Sequence, residues 1–176
     1  MIVKRCSITT LPVDIIVNAA NPSGLGCFTL GHNCIDNVIH REAGPLLHEE
    51  CKKKMSLIKI LGSRPIVTRG YMLPCKYIMH VAGPQITDYI TQDHVKSLSE
   101  CYTNCLTEAV KMNAKTIAFP CISTGLYHFD NSLACDIAYD AVYNFLKHTC
   151  YNLTVIFNVF TDYDEQLYLQ KLKTKN

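Results

Sequence analysis

The residues with the clearest potential for chemistry are two cysteines and a histidine near the start of the chain. Cys27, His32 and Cys34 lie within a stretch of eight residues, and thiolate and imidazole are ligands that zinc prefers. No fourth ligand is close in sequence, which fits a catalytic zinc with three protein ligands and an open position. Three other interpretations stay open from these residues alone: buried reduced thiols, a structural zinc with a distant fourth ligand, and a redox pair of cysteines.

Polar side chains with a second kind of chemistry flank this motif. Asn18 and Asn21 directly follow an apolar run. Their amides donate and accept hydrogen bonds, which suits sugar hydroxyls, although asparagine is also common in ordinary turns. Asp36 comes two residues after Cys34, where a carboxylate can orient a metal ligand or cap the helix that begins there.

A third candidate is the Ser123-Thr124-Gly125 turn, which lies between a predicted strand and a predicted helix. Such a turn can direct backbone N–H groups toward an anion, and the dipole of the following helix adds to the attraction. An ordinary connection between strand and helix explains the same residues equally well. The chain has neither a Walker motif nor G-x-G-x-x-G, which argues against an NTPase or a dinucleotide-dependent oxidoreductase.

The elements that must position these residues alternate between strands and helices. Short apolar, β-branched runs predict five strands, at residues 13–17, 65–69, 76–81, 115–120 and 153–160. Residues 21–33 and 83–95 are predicted loops. This order predicts an α/β fold whose mainly parallel sheet is covered by helices on both faces. Ligands of such sheets bind at the carboxyl ends of the strands, where the Asn18 and Ser123 segments lie.

The predicted helices carry apolar residues at helical spacing. One begins at Cys34 and is interrupted at Gly44-Pro45, and another is centred on residues 98–109. A third follows Asp130 or Asn131, either of which can cap it. A last helix starts at Asp162, with acids in its first turn and lysines in its last, as the helix dipole favours.

Composition limits the remaining classes. The 176 residues carry 48% hydrophobic and 18% charged side chains with a formal net charge of +2, which predicts one domain over residues 1–176. There is no basic patch that favours nucleic acid and no apolar run of membrane length. The chain is therefore expected to be a soluble monomer of the cytoplasm or nucleus. All ten cysteines except Cys27 and Cys34 are expected to be reduced and buried.

Taken together, these motifs resemble the macrodomain family. The segments that carry the resemblance are ITTLPVDIIVNAAN, an AGP at Ala82–Pro84, IAFPCISTGLYHFD and VIFNVF, and they cover nearly the whole chain. GLGCFTLGHNCIDNVIH resembles the insertion that marks the zinc-dependent macrodomains. The resemblance implies a three-layer α/β/α sandwich that binds ADP-ribose and removes it from mono-ADP-ribosylated proteins. It also implies one zinc ion, held by Cys27, His32 and Cys34.

The resemblance assigns roles to individual positions. Asn21, Cys27, His32, Cys34 and Asp36 form the implied catalytic group. The implied ligand contacts are Ser7, Ile8, Asn18, Ala20, Asn21, Ser123, Thr124, Gly125, Leu126, Tyr127, Phe129, Asn158 and Phe160. Among them, residues 123–127 would wrap the diphosphate, Asn18, Asn21 and Phe129 would lie near the distal ribose, and Asn158 or Phe160 would contact the adenine side.

One position departs from the family pattern. Macrodomains usually have an aspartate that accepts from the adenine amino group, and Ser7 stands there in this chain. A hydrogen bond to a charged group contributes about 1.5–3 kcal/mol against about 1 kcal/mol for a neutral one. Weaker or less selective adenine recognition is therefore expected.

Two mechanisms and three functions stay open from the sequence. Zinc would either activate a water or hold a ribose oxygen, since two thiolates offset its charge and weaken its acidity. The expected bond is an ester to an aspartate or glutamate of the modified protein. The alternatives to a hydrolase are a non-catalytic reader of ADP-ribose and a deacetylase of O-acetyl-ADP-ribose.

Overall fold

A computed structural model describes residues 1–174, and six strands form one sheet in the order β1-β6-β5-β2-β4-β3. Only β3 runs antiparallel, against β4. The strands are β1 (Ile2–Arg5), β2 (Ile15–Ala19), β3 (Ile66–Arg69), β4 (Tyr77–Val81), β5 (Thr116–Phe119) and β6 (Thr154–Val159). The helices are α1 (Ile35–Ala43), α2 (Pro45–Met55), α3 (Gln92–Lys111), α4 (Asn131–His148) and α5 (Asp162–Thr174), with a short 3₁₀ turn at Ile8–Thr10.

The helices cover both faces of the sheet, as the alternating pattern predicts. Ile15 and Val17 of β2 pack against α3 and α4, whereas Ile16 between them packs against α1 and α2. A central parallel strand is apolar on both faces because neither face meets water. The α/β/α sandwich with a mixed, mainly parallel sheet is therefore confirmed.

Two local predictions were wrong. The sequence does not predict β1, because no apolar run marks this four-residue edge strand. Three of its residues are exposed. Helix α3 begins at Gln92, inside the predicted loop 83–95. Its start is fixed by Thr91 and His94, each of which accepts a hydrogen bond from the other's backbone N–H, and this pairing lies before the apolar stripe of the helix.

All ten cysteines are free thiols, as expected for the eight other than Cys27 and Cys34. The prediction that eight of them are buried was wrong for three, since Cys6 and Cys121 are half-buried and Cys150 is exposed. Burial raises the pKa of Cys101 to about 12, so this core thiol stays protonated at neutral pH. No helix within residues 1–174 combines the length and apolar character that a bilayer span requires.

The amino ends of three strands meet at the carboxylate of Asp14. It accepts hydrogen bonds from the backbone N–H groups of Lys115 at 2.7 Å and Thr116 at 3.1 Å, and Lys76 Nζ lies 2.6 Å from its other oxygen. The ion pair and hydrogen bond with Lys76, followed by the two backbone donors, lower the pKa of Asp14. This carboxylate thus ties β2, β4 and β5 together at the edge opposite the candidate site.

We expect Asp14→Asn to lower the free energy of unfolding by about 1–2 kcal/mol at pH 7, because a neutral amide replaces a charged acceptor. The folded protein holds the pKa of Asp14 below its ordinary value of 3.8. The stabilisation is therefore complete above that pH and is lost as pH falls through the lower folded value. Denaturant titrations from pH 7 to pH 2 test this. The exposed Asp88→Asn is the control, and a difference that grows on acidification would contradict the assignment.

Candidate active site

The carboxyl ends of β2, β4 and β5 bring three loops to one edge of the sheet. After β2, the Ala20 backbone N–H donates to the carbonyl of Val81 at the end of β4, at 2.8 Å. After β4, the Ile86 N–H donates to the carbonyl of Tyr127, in the loop that follows β5, at 2.9 Å. The predicted Asn18 and Ser123 segments therefore lie at the same edge, where ligands of open α/β sheets bind.

At the centre of this edge is the carboxylate of Asp36, whose side chain is only 4% exposed. Its Oδ1 accepts from Asn18 Nδ2 at 2.7 Å, and its Oδ2 accepts from Asn21 Nδ2 at 3.0 Å. His40 Nε2 lies 3.5 Å from Oδ1. Burial raises the pKa of Asp36, although the two amides and His40 act against this. The structure thus brings Asn18, Asn21 and Asp36 together, with Asn18 itself fully buried.

Beside this carboxylate, the candidate zinc residues form a cluster. The ligand atoms of Cys27, His32 and Cys34 all lie within 4.8 Å of one another, and Cys27 Sγ is 3.0 Å from His32 Nδ1. Partial burial acts to raise the pKa of Cys27, but hydrogen bonds from Thr29, His32 and Cys34 together lower it. Burial and the nearby Cys27 sulfur raise the pKa of Cys34. Two soft thiols and one imidazole at this separation match the donor set of zinc.

Helix α1 holds both parts of the site. Cys34 caps the helix, because its Sγ accepts from the backbone N–H of Asn37 at 3.4 Å. The amide of Asn37 donates to the carbonyl of Cys27 at 2.9 Å. The first turn of α1 therefore places Asp36 toward the sheet and anchors the loop that carries the other two candidate ligands. Asp36 does not cap this helix.

The loop over this helix is fitted closely to His40. Gly26 has φ +89°, and a Cβ atom at this position would lie 2.7 Å from the His40 ring. Gly31, farther along the same loop, also has a positive φ, but no atom within 4 Å would meet its Cβ. Of these two glycines, Gly26 is therefore the one that close packing requires.

The loop after β5 stores backbone strain next to the cluster. Ser123 and His128 have φ values of +68° and +56°, and each such residue costs roughly 1–2 kcal/mol. The hydroxyl of Ser123 is buried and has no hydrogen-bond partner among residues 1–174, while the space above Gly125 is open. The pKa of Tyr127 is raised by burial and by the nearby Asp36 and Cys34, so this loop adjoins the carboxylate and the thiols.

The residues predicted for the adenine side lie at the end of β6 and the start of the chain. Asn158 Nδ2 donates to the carbonyls of Cys6 at 3.0 Å and Lys4 at 3.3 Å, which ties it to the Ser7 segment. Ser7 Oγ lies 2.6 Å from Thr9 Oγ1, and Phe160 is 79% exposed. Three other predicted contact residues are buried beneath the loops: Ile8, Ala20 and Phe129.

Two histidines, His40 and His80, lie close to Cys51 and differ in their hydrogen bonding. His40 and His80 have their ligand atoms within 4.8 Å of Cys51, and neither ring nitrogen of His40 has a hydrogen-bond partner in the described part of the chain. His80 Nδ1 is 3.0 Å from Asn18 Nδ2, and its Nε2 is 2.9 Å from Thr68 Oγ1. Both histidines are buried.

The fold and this edge of the sheet define the class of protein. Residues 17–138 match the family described as Macro domain, and the chain belongs to that family. The match includes the Asn18 segment, the cysteine–histidine loop and the Ser123 loop.

Individual relatives extend this likeness over almost the whole chain. A protein-ADP-ribose hydrolase of Staphylococcus aureus (strain MRSA252) is 44% identical over 167 residues, covering 92% of this chain and 62% of the relative. ADP-ribose glycohydrolase MACROD2 of Xenopus laevis is 42% identical over 94% of this chain and 38% of its own length. The Oceanobacillus iheyensis macrodomain with ADP superimposes with a TM-score of 0.87 at 32% identity, covering 98% of this chain and 89% of that one. The chain thus spans about three fifths or less of the length of the Staphylococcus aureus and Xenopus laevis relatives.

We expect Gly26→Ala to lower the free energy of unfolding by about 1–3 kcal/mol more than Gly31→Ala, because only the former forces its Cβ into the His40 ring. Both substitutions place alanine at a positive φ, so the backbone cost is matched. Urea denaturation followed by circular dichroism measures the difference. Equal destabilisation of the two variants would show that the loop yields to the added methyl group.

Proposed function

We propose that this chain is a zinc-dependent mono-ADP-ribosyl hydrolase, which binds ADP-ribose at the carboxyl ends of its parallel strands and removes it from modified proteins. The observation that carries the proposal is the buried carboxylate of Asp36, which Asn18 and Asn21 hold beside two thiols and an imidazole. The names of the relatives, protein-ADP-ribose hydrolase and ADP-ribose glycohydrolase, support the same activity. The substrates are mono-ADP-ribosylated proteins, with the linkage at acidic side chains.

The ligand would lie across the loops that follow β2, β5 and β6. The open space above Gly125 and the buried, unpartnered hydroxyl of Ser123 suit an anionic diphosphate near the start of α4. Asn158 donates to the carbonyl of Cys6 and Arg5 to that of Phe160, and the adenine would lie against the Ser7 and Phe160 segments that these contacts join. The distal ribose would then lie near Asn21 and Asp36.

In the proposed reaction, Asp36 is the group that accepts a proton. Each of its oxygens accepts one amide hydrogen bond, and an ionised carboxylate has further lone pairs to accept a proton or hydrogen bond from water or a ribose hydroxyl. Asn21 also donates to the carbonyl of Gly26 at 3.2 Å, so it links the carboxylate to the candidate metal loop. Hydrolysis adds a water across the bond between ADP-ribose and the protein side chain and releases both.

Zinc fits the neighbouring cluster by the chemistry of its donors. Cys27, His32 and Cys34 would hold it, because they offer two sulfurs and one ring nitrogen within 4.8 Å. When bound, it would supply positive charge that lowers the pKa of a water or holds a ribose oxygen. The position of Asp36 two residues along α1 keeps the carboxylate next to this loop.

We expect Cys34→Ala to lose zinc and turnover together, because the substitution removes one of three candidate ligands. The measurements are zinc content by mass spectrometry and release of ADP-ribose from an auto-modified carrier protein. Cys150→Ala, which removes an exposed cysteine outside the cluster, is the control. Full turnover of a zinc-free protein would overturn the zinc dependence and leave Asp36 and the Ser123 loop as the site.

We expect Asp36→Asn to lower kcat by roughly 10²-fold or more, since a positioned general base contributes about 10²–10⁴-fold. Calorimetry with ADP-ribose should show binding weakened far less than kcat, because the amide keeps the shape of the carboxylate even though its NH2 group loses one of the two accepted hydrogen bonds. Asp88→Asn serves as the matched control on an exposed aspartate. A wild-type protein that binds ADP-ribose but releases none from any linkage would instead be a reader.

A further inference from the structure

We infer that Thr68 and His80 are positioning residues that fix the amide of Asn18 and, through it, the carboxylate of Asp36. This inference rests on the proposed function, because it assigns these residues to the same reaction. The contacts form one buried chain across four elements: Thr68 Oγ1 to His80 Nε2 at 2.9 Å, His80 Nδ1 to Asn18 Nδ2 at 3.0 Å, and Asn18 Nδ2 to Asp36 Oδ1 at 2.7 Å. The four side chains are at most 4% exposed.

The direction of each hydrogen bond follows from the Asn18 amide. Its nitrogen, which only donates, faces both Asp36 Oδ1 and His80 Nδ1. The same nitrogen carries a second hydrogen, which points at His80 Nδ1. His80 Nδ1 must therefore accept, which places the ring proton on Nε2, where Thr68 Oγ1 receives it. The tautomer of His80 is thus assigned from the network.

Only a neutral imidazole can fill this role, since an imidazolium has a donor at both nitrogens. His80 is completely buried, and burial, with a smaller contribution from His40, lowers the pKa of His80 to about 3. The acceptor at Nδ1 therefore persists at neutral pH. If the ring proton moved to Nδ1, it would face the Asn18 amide hydrogen and displace the amide from Asp36.

The sheet explains why the chain of contacts reaches so far. Asn18 on β2 is paired with His80 on β4 in the parallel register, and Thr68 lies on the antiparallel edge strand β3. Thr68 has no direct contact with Asp36, but its hydroxyl can accept the Nε2 proton of the His80 tautomer that Asn18 requires. Its hydroxyl thereby helps to fix the site from the outermost strand, β3.

The same histidine belongs to the cluster with His40 and Cys51, whose spacing also suits a metal. A metal on His80 Nε2 would displace the proton that Thr68 receives and move a hydrogen to Nδ1. A hydrogen on Nδ1 is incompatible with the hydrogen bond that Nδ1 accepts from Asn18. Burial also raises the pKa of Cys51 to about 12, which favours the thiol over a metal-binding thiolate. A second zinc at this cluster is therefore an outcome that would overturn the inference.

The first test substitutes Thr68 alone. Thr68→Val keeps the shape of the side chain and removes the hydroxyl, whereas Thr68→Ser keeps the hydroxyl. We expect Thr68→Val to lower kcat by roughly tenfold or more, the scale of lost outer contacts, with KM and the ADP-ribose dissociation constant within about twofold. Thr68→Ser should recover most of the lost turnover. Equal kcat for Thr68→Val and wild type would overturn the inference.

The second test separates the two nitrogens of His80. His80→Asn keeps an acceptor near the position of Nδ1, whereas His80→Gln keeps a donor near that of Nε2 and loses the acceptor. We expect the asparagine variant to retain the higher kcat, whatever stability the two variants lose in common. The reverse order would overturn the inference.

A measurement on the wild type covers the case in which these variants do not fold. Long-range ¹H–¹⁵N spectra of the zinc-loaded protein should show His80 protonated at Nε2 and bare at Nδ1. A proton on Nδ1, or two zinc ions per chain of which one is lost in Cys51→Ser, would overturn the inference. Failure of the proposed function is distinguishable, since the wild type itself would then release no ADP-ribose.

Discussion

Burial of the Asp36 carboxylate is the constraint on which the surrounding loops depend. A buried carboxylate without partners is strongly unfavourable, and only hydrogen bonds to its ionised form offset the lost hydration. The structure meets this with two amides from different segments, Asn18 at the end of β2 and Asn21 three residues later in the loop. The strand must end where it does, and the loop must turn back, for both amides to reach the same side chain.

The position of the loop that carries the two cysteines follows from this arrangement. Helix α1 begins at Ile35 with Cys34 as its cap, so the first turn that holds Asp36 against β2 also brings Cys34 toward Cys27 and His32. Gly26 then lies against the His40 ring, where no side chain fits. The carboxylate and the thiols are thus held by one short helix, so their relative position depends little on the rest of the chain.

Most of the fold, and the positions of the site loops, could be predicted from the sequence because both are local in origin. Alternating apolar runs and helical stripes indicate the central strands, and Asn18, Cys27 and Ser123 lie in polar segments that follow or precede them. What escaped prediction depends on contacts between distant segments. Strand β1 forms only by pairing with β6. The start of α3 is the exception, because its cap joins Thr91 and His94, which are only three residues apart. The hydrogen bond between His80 and Thr68 forms only when β3 and β4 pair. No local pattern of residues predicts that pairing.

The double contact of Cys34 has a practical consequence for chemical labelling. Its sulfur caps α1 through the Asn37 N–H and also faces Cys27, so a reagent that alkylates it would loosen the first turn of the helix as well as the cluster. A dye on this half-buried thiol would report on a protein that the label itself has altered. Cys150, which is exposed beyond the end of α4, offers a thiol whose modification leaves that turn intact.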